Sequence, residues 1–306
     1  SANHVFDITV GVSNDSALSS SMASQQAKKK NIYNQMAQVL MGYDHTGSIQ
    51  RFDEDGNITD GGTKMDEVFF LNFSRLLVKD EIKKGSFQLD LGVTQAYTQT
   101  GAVFGSRIQI TDSSGSDGYL VNSPAGEYGI LYATASTAGN VLKDNKSYAV
   151  GHLYYQAGVA VISSSVFLDE ADGGILHNSN NSVSMSGPSN TSEGIKAVLT
   201  GSEISGAADN IRNRIYNVQF NNTVELNSTV YFCRINHNEF NYSTNPTYLN
   251  DGKIRVKTKS TDVPIAYVTS IGLYNSNNEL MAVAKLSEPL RKDPSQEYTI
   301  RCRLDF

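Results

Sequence analysis

The stretch IAYVTSIGLYNSNNELMAVAKLSEPL, residues 265–290, indicates the fold class of this chain most directly. Two apolar runs flank the polar segment Asn275–Asn278, and such a pattern is typical of a β-hairpin. The final segment EYTIRCRLDF, residues 297–306, alternates apolar with polar residues, which places every second side chain on one face of a strand. That face carries Tyr298, Ile300, Cys302, Leu304 and Phe306. The last hundred residues therefore predict an antiparallel β domain.

Upstream of this region, most apolar runs are also short and are separated by Gly, Ser, Asp and Asn, as expected for strands. The exception is Ala17–Met41, where apolar residues recur at three- and four-residue steps and predict a long helix that ends at Gly42. Strands are predicted in His4–Val12, EVFFLNFSRLLV (67–78), SFQLDLGV (86–93), SRIQIT (106–111), GEYGILYA (126–133) and HLYYQAGVAVISSSVF (152–167). The chain is thus predicted to be mainly β, with antiparallel β-sandwich regions and one long N-terminal helix.

The domain organisation follows from shifts in composition. Residues 1–62 hold the opening strand, the helix and a turn-rich segment, and residues 63–200 form a β-rich region. Within that region, residues 169–193 are rich in Ser, Asn and Gly, which predicts a long loop. Residues 201–306 are expected to form the C-terminal antiparallel β domain.

Composition restricts the classes of partner. The 306 residues are only 18% charged, below the roughly 25% typical of soluble proteins, and the net charge is −6. An acidic chain is a poor general ligand for nucleic acid or for an anionic membrane. No segment has the roughly 18 apolar residues of a membrane span, and the first ten residues lack the features of a secretory signal. Maturation in a cytoplasm is therefore expected, with Cys233 and Cys302 as buried, reduced thiols, although a disulfide between neighbouring strands remains open.

No motif in the sequence predicts catalysis, a cofactor or a metal. The loop FDEDGNITD offers Asp53, Asp55 and Asp60 around Gly56, but lacks the spacing of an EF-hand, so a plain turn is favoured over weak calcium binding. The five histidines are scattered and no pair has metal-ligand spacing. A hydrolase would need two carboxylates in a cleft. Nothing in the sequence marks a pair among the acids near the Asn-rich segment, which are Glu225, Glu239 and Asp251.

Three features instead indicate contacts with partner proteins. The segment NHNEFNYSTNPTYL, residues 236–249, displays aromatic rings among asparagines, and Pro246 fixes a turn; a loop folded back over its own sheet is the alternative. The run KIRVKTK, residues 253–259, would place its basic side chains on one face of a strand; a solvated, edge-protecting face is the alternative. One face of the helix could pack against a partner protein. The predicted interface residues are Met22, Tyr33, Met36, Phe240, Tyr242, Tyr248, Lys253, Arg255 and Lys257.

Longer phrases of the sequence resemble virion structural proteins of tailed bacteriophages, especially marine and cyanobacterial myoviruses. The phrases are EVFFLNFSR (67–75), YYQAGVAVISSSVF (154–167), residues 215–248, YVTSIGLYNSNNELMAVAKLSEPL (267–290) and RLDF (303–306). The resemblance implies a non-enzymatic particle component that is assembled in the host cytoplasm and contacts copies of itself and other virion proteins. A tail or baseplate position is our hypothesis by analogy. A neck, collar or head-decoration protein, or a glycan-binding host-recognition module, are the alternatives.

Overall fold

The computed structural model of the chain describes residues 4–20, 24–57, 62–94, 102–135, 141–178, 184–186, 192–194, 204–255, 257 and 259–305. It divides into two compact units, Ser1–Glu225 and Leu226–Phe306. The predicted division at residue 200 differs from this boundary. Helix Ile204–Arg212 packs on the first strand, and the strand that follows it joins the sheet of the first unit.

The first unit is built on an eight-stranded antiparallel sheet with strand order β1-β2-β8-β7-β6-β5-β4-β11. Two-stranded pairs β3–β12 and β9–β10 accompany it. The strands are β1 (Asp7–Val12), β2 (Glu67–Asn72), β3 (Glu81–Ile82), β4 (Gln88–Gly92), β5 (Arg107–Thr111), β6 (Tyr128–Ala135), β7 (Tyr148–Tyr154), β8 (Val159–Ser163), β9 (Ser184–Ser186), β10 (Ser192–Gly194), β11 (Ile215–Gln219) and β12 (Asn222–Thr223).

Within the described residues, this unit has the helices α1 (Ser24–Leu40), α2 (Gly115–Gly118) and α3 (Ile204–Arg212). Short 3₁₀ turns lie at Ala17–Ser20, Ser74–Leu76, Ala102–Phe104, Lys143–Asn145, Ser164–Phe167 and Glu170–Asp172. Helix α1 is shorter than the predicted helix Ala17–Met41, because its first turns are replaced by the 3₁₀ turn. Among the described helices, none is long and apolar enough to cross a membrane.

The central sheet is covered on both faces, which explains why strand β2 reads as an unbroken apolar run. Val68 and Phe70 belong to one hydrophobic cluster, whereas Phe69 and Leu71 belong to the other. The cluster of Val68 contains side chains of α1, and the cluster of Phe69 contains side chains of α3. The first unit therefore has helices on both sides of one antiparallel sheet, and a sandwich of two packed sheets is not confirmed.

The second unit consists of two-stranded antiparallel sheets, and its fold is mainly β as predicted. Its strands are β13 (Ser228–Ile235), β14 (Leu249–Asn250), β15 (Lys253–Ile254), β16 (Ala266–Tyr274), β17 (Leu280–Lys292) and β18 (Tyr298–Asp305), with a 3₁₀ turn at Pro246–Tyr248. The hairpin predicted in residues 265–290 is confirmed, since β16 and β17 pair around the turn and Asn278 adopts a positive φ of 62°. Both hydrophobic clusters of the described residues lie in the first unit.

Candidate functional site

One ribbon of the second unit, formed by β13 and β18 and here called the terminal ribbon, has two chemically different faces. Cys233 pairs with Ile300 and Tyr231 pairs with Cys302, so the residues Tyr298 to Leu304 predicted from alternation share one face, whereas Phe306 lies outside the described residues. On the other face, Phe232 pairs with Arg301 and is 69% exposed. Neither face is covered by an apolar layer within the described part of this unit.

The two cysteines are free thiols. They are half-exposed, not buried as the sequence predicted, because their face of the terminal ribbon lacks a cover. Desolvation raises the pKa of Cys233, and the neighbouring Cys302 thiol adds to this effect. A raised pKa lowers the thiolate fraction, so this thiol is a weak nucleophile.

The second ribbon, formed by β16 and β17 and here called the hairpin ribbon, has apolar side chains on both faces, mostly half-buried on one and exposed on the other. Ile271 and Leu273 lie opposite Ala284 and Ala282 on one face. The other face carries exposed Tyr274, Leu280 and Val283. Since β17 has thirteen residues, this ribbon presents a long apolar surface together with two unpaired strand edges.

The Asn-rich segment is fastened by a buried lysine that the sequence analysis missed. The Nζ atom of Lys292 donates hydrogen bonds to the carbonyl oxygen of His237 at 3.0 Å and to Oδ1 of Asn241 at 2.7 Å. Phe240 lies between these two anchors with a φ of 53° and is 65% exposed. A left-handed conformation is unfavourable for a bulky residue, so the anchors hold Phe240 outward at a conformational cost.

The other two predicted aromatic residues have different environments. Tyr248 is fixed within its own unit, because its hydroxyl donates to the carbonyl oxygen of Ile265 at 2.8 Å and its ring packs edge-on against Tyr267. Tyr242 is exposed, and its hydroxyl is 3.4 Å from the carbonyl oxygen of Gly252. Phe240 and Tyr242 therefore remain available to a partner, whereas Tyr248 has a structural role.

The predicted basic strand is wrong beyond its second residue. Strand β15 ends at Ile254, and a turn follows in which the backbone N–H of Lys257 donates to the carbonyl oxygen of Ile254. The basic side chains are consequently not aligned on one strand face. The turn instead brings three lysines around a cavity of about 450 Å³, here called the lysine cavity. Its lining comprises Tyr242, Lys253, Ile254, Lys257, Lys259, Ser260 and Pro264. Arg255 is exposed and is not among the lining residues.

The helix residues predicted as an interface mostly face the interior. Tyr33 is buried and donates a hydrogen bond to the carbonyl oxygen of Met65 at 2.8 Å, so its assignment to a partner surface is wrong. Met36 is half-buried and packs against the same hydrophobic cluster. The spacing of Tyr33 and Met36 correctly predicted the apolar face of α1, but that face packs against other residues of the first unit. Met22 lies outside the described residues.

The first unit contains a second missed feature, here called the carboxylate cluster: Glu81, Glu127 and Glu225 around Lys84. The ammonium group of Lys84 contacts Glu127 closely and lies 2.7 Å from Oε1 of Glu225 and 3.7 Å from Oε1 of Glu81. It also lies 4.5 Å from the centre of the Tyr119 ring. The glutamates come from three distant parts of the sequence, so spacing could not have revealed the cluster.

Burial controls the charges of the carboxylate cluster. Glu81 is 1% exposed, and desolvation, reinforced by Glu225, raises its pKa from 4.5 to about 7 despite the nearby Lys84. The hydrogen bond from Lys84 lowers the pKa of Glu225. Carboxylate oxygens of the three glutamates lie within 4.8 Å of one another, a spacing that suits a hard cation. Because the Lys84 ammonium already supplies the positive charge, the arrangement reads as an internal ion-pair network.

The acidic turn that follows Phe52, a member of the hydrophobic cluster of Val68, has a structural role. The Asp53 carboxylate is buried and paired with Lys64, and Gly56 adopts a φ of 77° in the turn that follows. Asp60 lies outside the described residues.

Glu225 belongs to the first unit, and Glu239 and Asp251 belong to the second. Glu239 accepts hydrogen bonds from Asn236.

Comparison of the chain with family models, with curated proteins and with solved structures finds no match.

Proposed function

We propose that this chain is a non-enzymatic structural protein of a tailed-phage particle, in which the second unit joins neighbouring subunits. The observation that carries this proposal is the exposure of the terminal and hairpin ribbons. Each is a two-stranded sheet without an apolar cluster to cover it among the described residues of its unit. A two-stranded ribbon alone is marginally stable in water, so its working state requires further packing.

The exposed side chains are those that proteins bury at interfaces. Phe232 and Met281 are more than two-thirds exposed, and Tyr274 is 64% exposed. Aromatic residues and methionine are enriched in interface cores. Burial of one such side chain stabilises an assembly by about 1.5–3 kcal/mol. Several ribbon residues buried together would therefore hold subunits with useful affinity.

Copies of the same chain are the partners that we favour for these ribbons. Two-stranded sheets leave edges with unpaired backbone groups, which accept a further strand. Packing of apolar ribbon faces from different copies would create the two-layered antiparallel sandwich that the sequence predicts. Such contacts close into rings when the interface repeats around an axis.

The position in the particle is part of the proposal. The resemblance of the long sequence phrases supports a virion protein that is assembled in the host cytoplasm, where Cys233 and Cys302 would stay reduced. We place the chain in the tail or baseplate, beside other virion proteins. Mass spectrometry and electron cryomicroscopy of the intact particle test this placement. Density in a symmetric tail ring is expected, whereas absence from purified particles would contradict the proposal.

Self-association is tested by one substitution on each face of β18. Ile300→Glu places a charge on the apolar face of the terminal ribbon, and Thr299→Glu places the same charge on the opposite face. Light scattering coupled to size-exclusion chromatography measures the mass of the full chain. We expect an oligomer for the wild type and a smaller species for both variants, because Thr299 shares its face with the exposed Phe232. Lys79→Glu, at an exposed position of the first unit, is the matched control and should keep the oligomer. A wild type that stays monomeric at high concentration would argue against assembly through its own copies.

A further inference from the structure

The lysine cavity is a concentration of positive charge on an acidic protein. The side chains of Lys253, Lys257 and Lys259 line one cavity of about 450 Å³, although the whole chain carries a net charge of −6. That volume lies in the range of about 300–1,000 Å³ that is typical of small-molecule sites. Concave walls focus the field of like charges and raise the local concentration of oppositely charged ligands.

The lysine cavity lies in a segment with an excess of basic residues. No salt bridge of the described residues includes any of its three lysines; those in the second unit involve Arg234, His237, Arg291 and Arg303. The Oδ2 atom of Asp262 accepts a hydrogen bond from the backbone N–H of Lys259 at 2.7 Å. Residues 251–262 carry four basic side chains against the two acids Asp251 and Asp262, which leaves this segment with an excess of positive charge.

The lysine cavity is also lined by an aromatic ring and by apolar atoms. Tyr242 is 53% exposed, and Pro264 and Ile254 contribute apolar atoms to the lining. Contact between the hydroxyl of Tyr242 and the carbonyl oxygen of Gly252 orients the ring. An amphipathic ring of this kind packs against the flat face of a sugar and keeps its polar end in water. Ser260 adds a hydroxyl that can donate or accept a hydrogen bond.

We propose that the lysine cavity binds an acidic saccharide, whose carboxylate contacts the lysines while a sugar ring packs on Tyr242. Lysine ammonium groups bind carboxylates through charge-assisted hydrogen bonds. The small, concave shape favours a sugar unit over an extended peptide, which needs a groove or a sheet edge. This site is separate from the ribbon faces that carry the proposed assembly role.

Calorimetric titration of the full chain with trigalacturonate tests the proposal. Its methyl ester has the same rings without the charges, and inorganic phosphate has charge without rings. We expect trigalacturonate to bind at low salt, with affinity about tenfold lower for the methyl ester and for phosphate. Affinity should also fall as the salt concentration rises.

Variants assign the binding to the lysine cavity. Lys257→Gln and Tyr242→Ala should each weaken trigalacturonate binding about fivefold. Lys79→Gln, at an exposed position of the first unit, is the matched control and should bind like the wild type. Absence of binding, equal binding of the methyl ester or of phosphate, or equal loss in Lys79→Gln would overturn the proposal. Light scattering on the same samples shows whether assembly changes, so the two proposals can fail separately.

Discussion

Replacing Glu81 with glutamine should alter the pH dependence of stability in a defined direction. Burial raises the pKa of Glu81 from 4.5 to about 7. Between these two values the folded protein keeps a proton that the unfolded chain has released, so the free energy of unfolding falls as the pH rises. One pKa unit corresponds to about 1.4 kcal/mol, and the full difference therefore corresponds to about 3 kcal/mol.

Glutamine has the shape of glutamate but cannot lose a proton in this range. Relative to the wild type, Glu81→Gln should therefore become more stable by about 3 kcal/mol as the pH rises from 4.5 to above 7. Other acids, such as the buried Asp112 and the half-buried Glu54, have raised pKa values in both proteins, and their contributions cancel in the comparison.

Urea unfolding at a series of pH values measures this difference. The chain has no tryptophan, so near-ultraviolet circular dichroism of the buried tyrosines of the first unit is the suitable signal. Glu170→Gln, at an exposed position of the same unit, is the matched control. Parallel curves for wild type and Glu81→Gln between pH 5 and pH 8 would refute the protonated state of Glu81.

Three further predictions concern the first unit. Burial lowers the pKa of His152 from 6.5 to about 4, so the unfolded chain binds a proton between these pH values that the folded protein does not bind. The free energy of unfolding of the wild type should therefore fall by about 3 kcal/mol as the pH drops from 6.5 to 4. His152→Phe should abolish this fall, as measured by urea unfolding. Phe52→Ala should cost about 3–5 kcal/mol in the same assay, because this fully buried ring packs against Tyr33 and Phe70. Arg214→Met should cost about 2–4 kcal/mol in thermal unfolding, since the buried guanidinium donates to two backbone carbonyl oxygens; an unchanged midpoint would contradict this.

The sequence predicted local structure well where one strand or hairpin contains its own signal. The hairpin of residues 265–290 has apolar runs around a turn that tolerates a positive φ, and the alternation in residues 298–304 was correct. The apolar run of β2 likewise predicted a strand, although only the structure showed that both of its faces are covered. The hairpin, the alternation and the apolar run each depend on residues that are close together in the sequence, so they can be recognised from the sequence alone.

Long-range partners could not be predicted from the same patterns. Tyr33 and Met36 lie on the apolar face of α1, but spacing alone does not tell whether that face packs on its own unit or on another protein. Lys292 is fully buried because its ammonium group finds carbonyl and amide oxygens more than fifty residues away in sequence. The turn after Ile254 similarly replaced a predicted strand and created the lysine cavity.

The two units differ in how much stabilisation each obtains from contacts within the unit. The first buries large aromatic and aliphatic clusters on both faces of its sheet, which provides the hydrophobic stabilisation that a domain requires. The second orders its Asn-rich segment through Lys292 and its ribbons through backbone hydrogen bonds, while most ribbon side chains stay exposed. A net hydrogen bond contributes only about 1 kcal/mol, so in the proposed assembly the ribbons would gain most of their stabilisation from the surface that a partner buries. We therefore expect the first unit to be stable before assembly and the second to gain most of its stability during it.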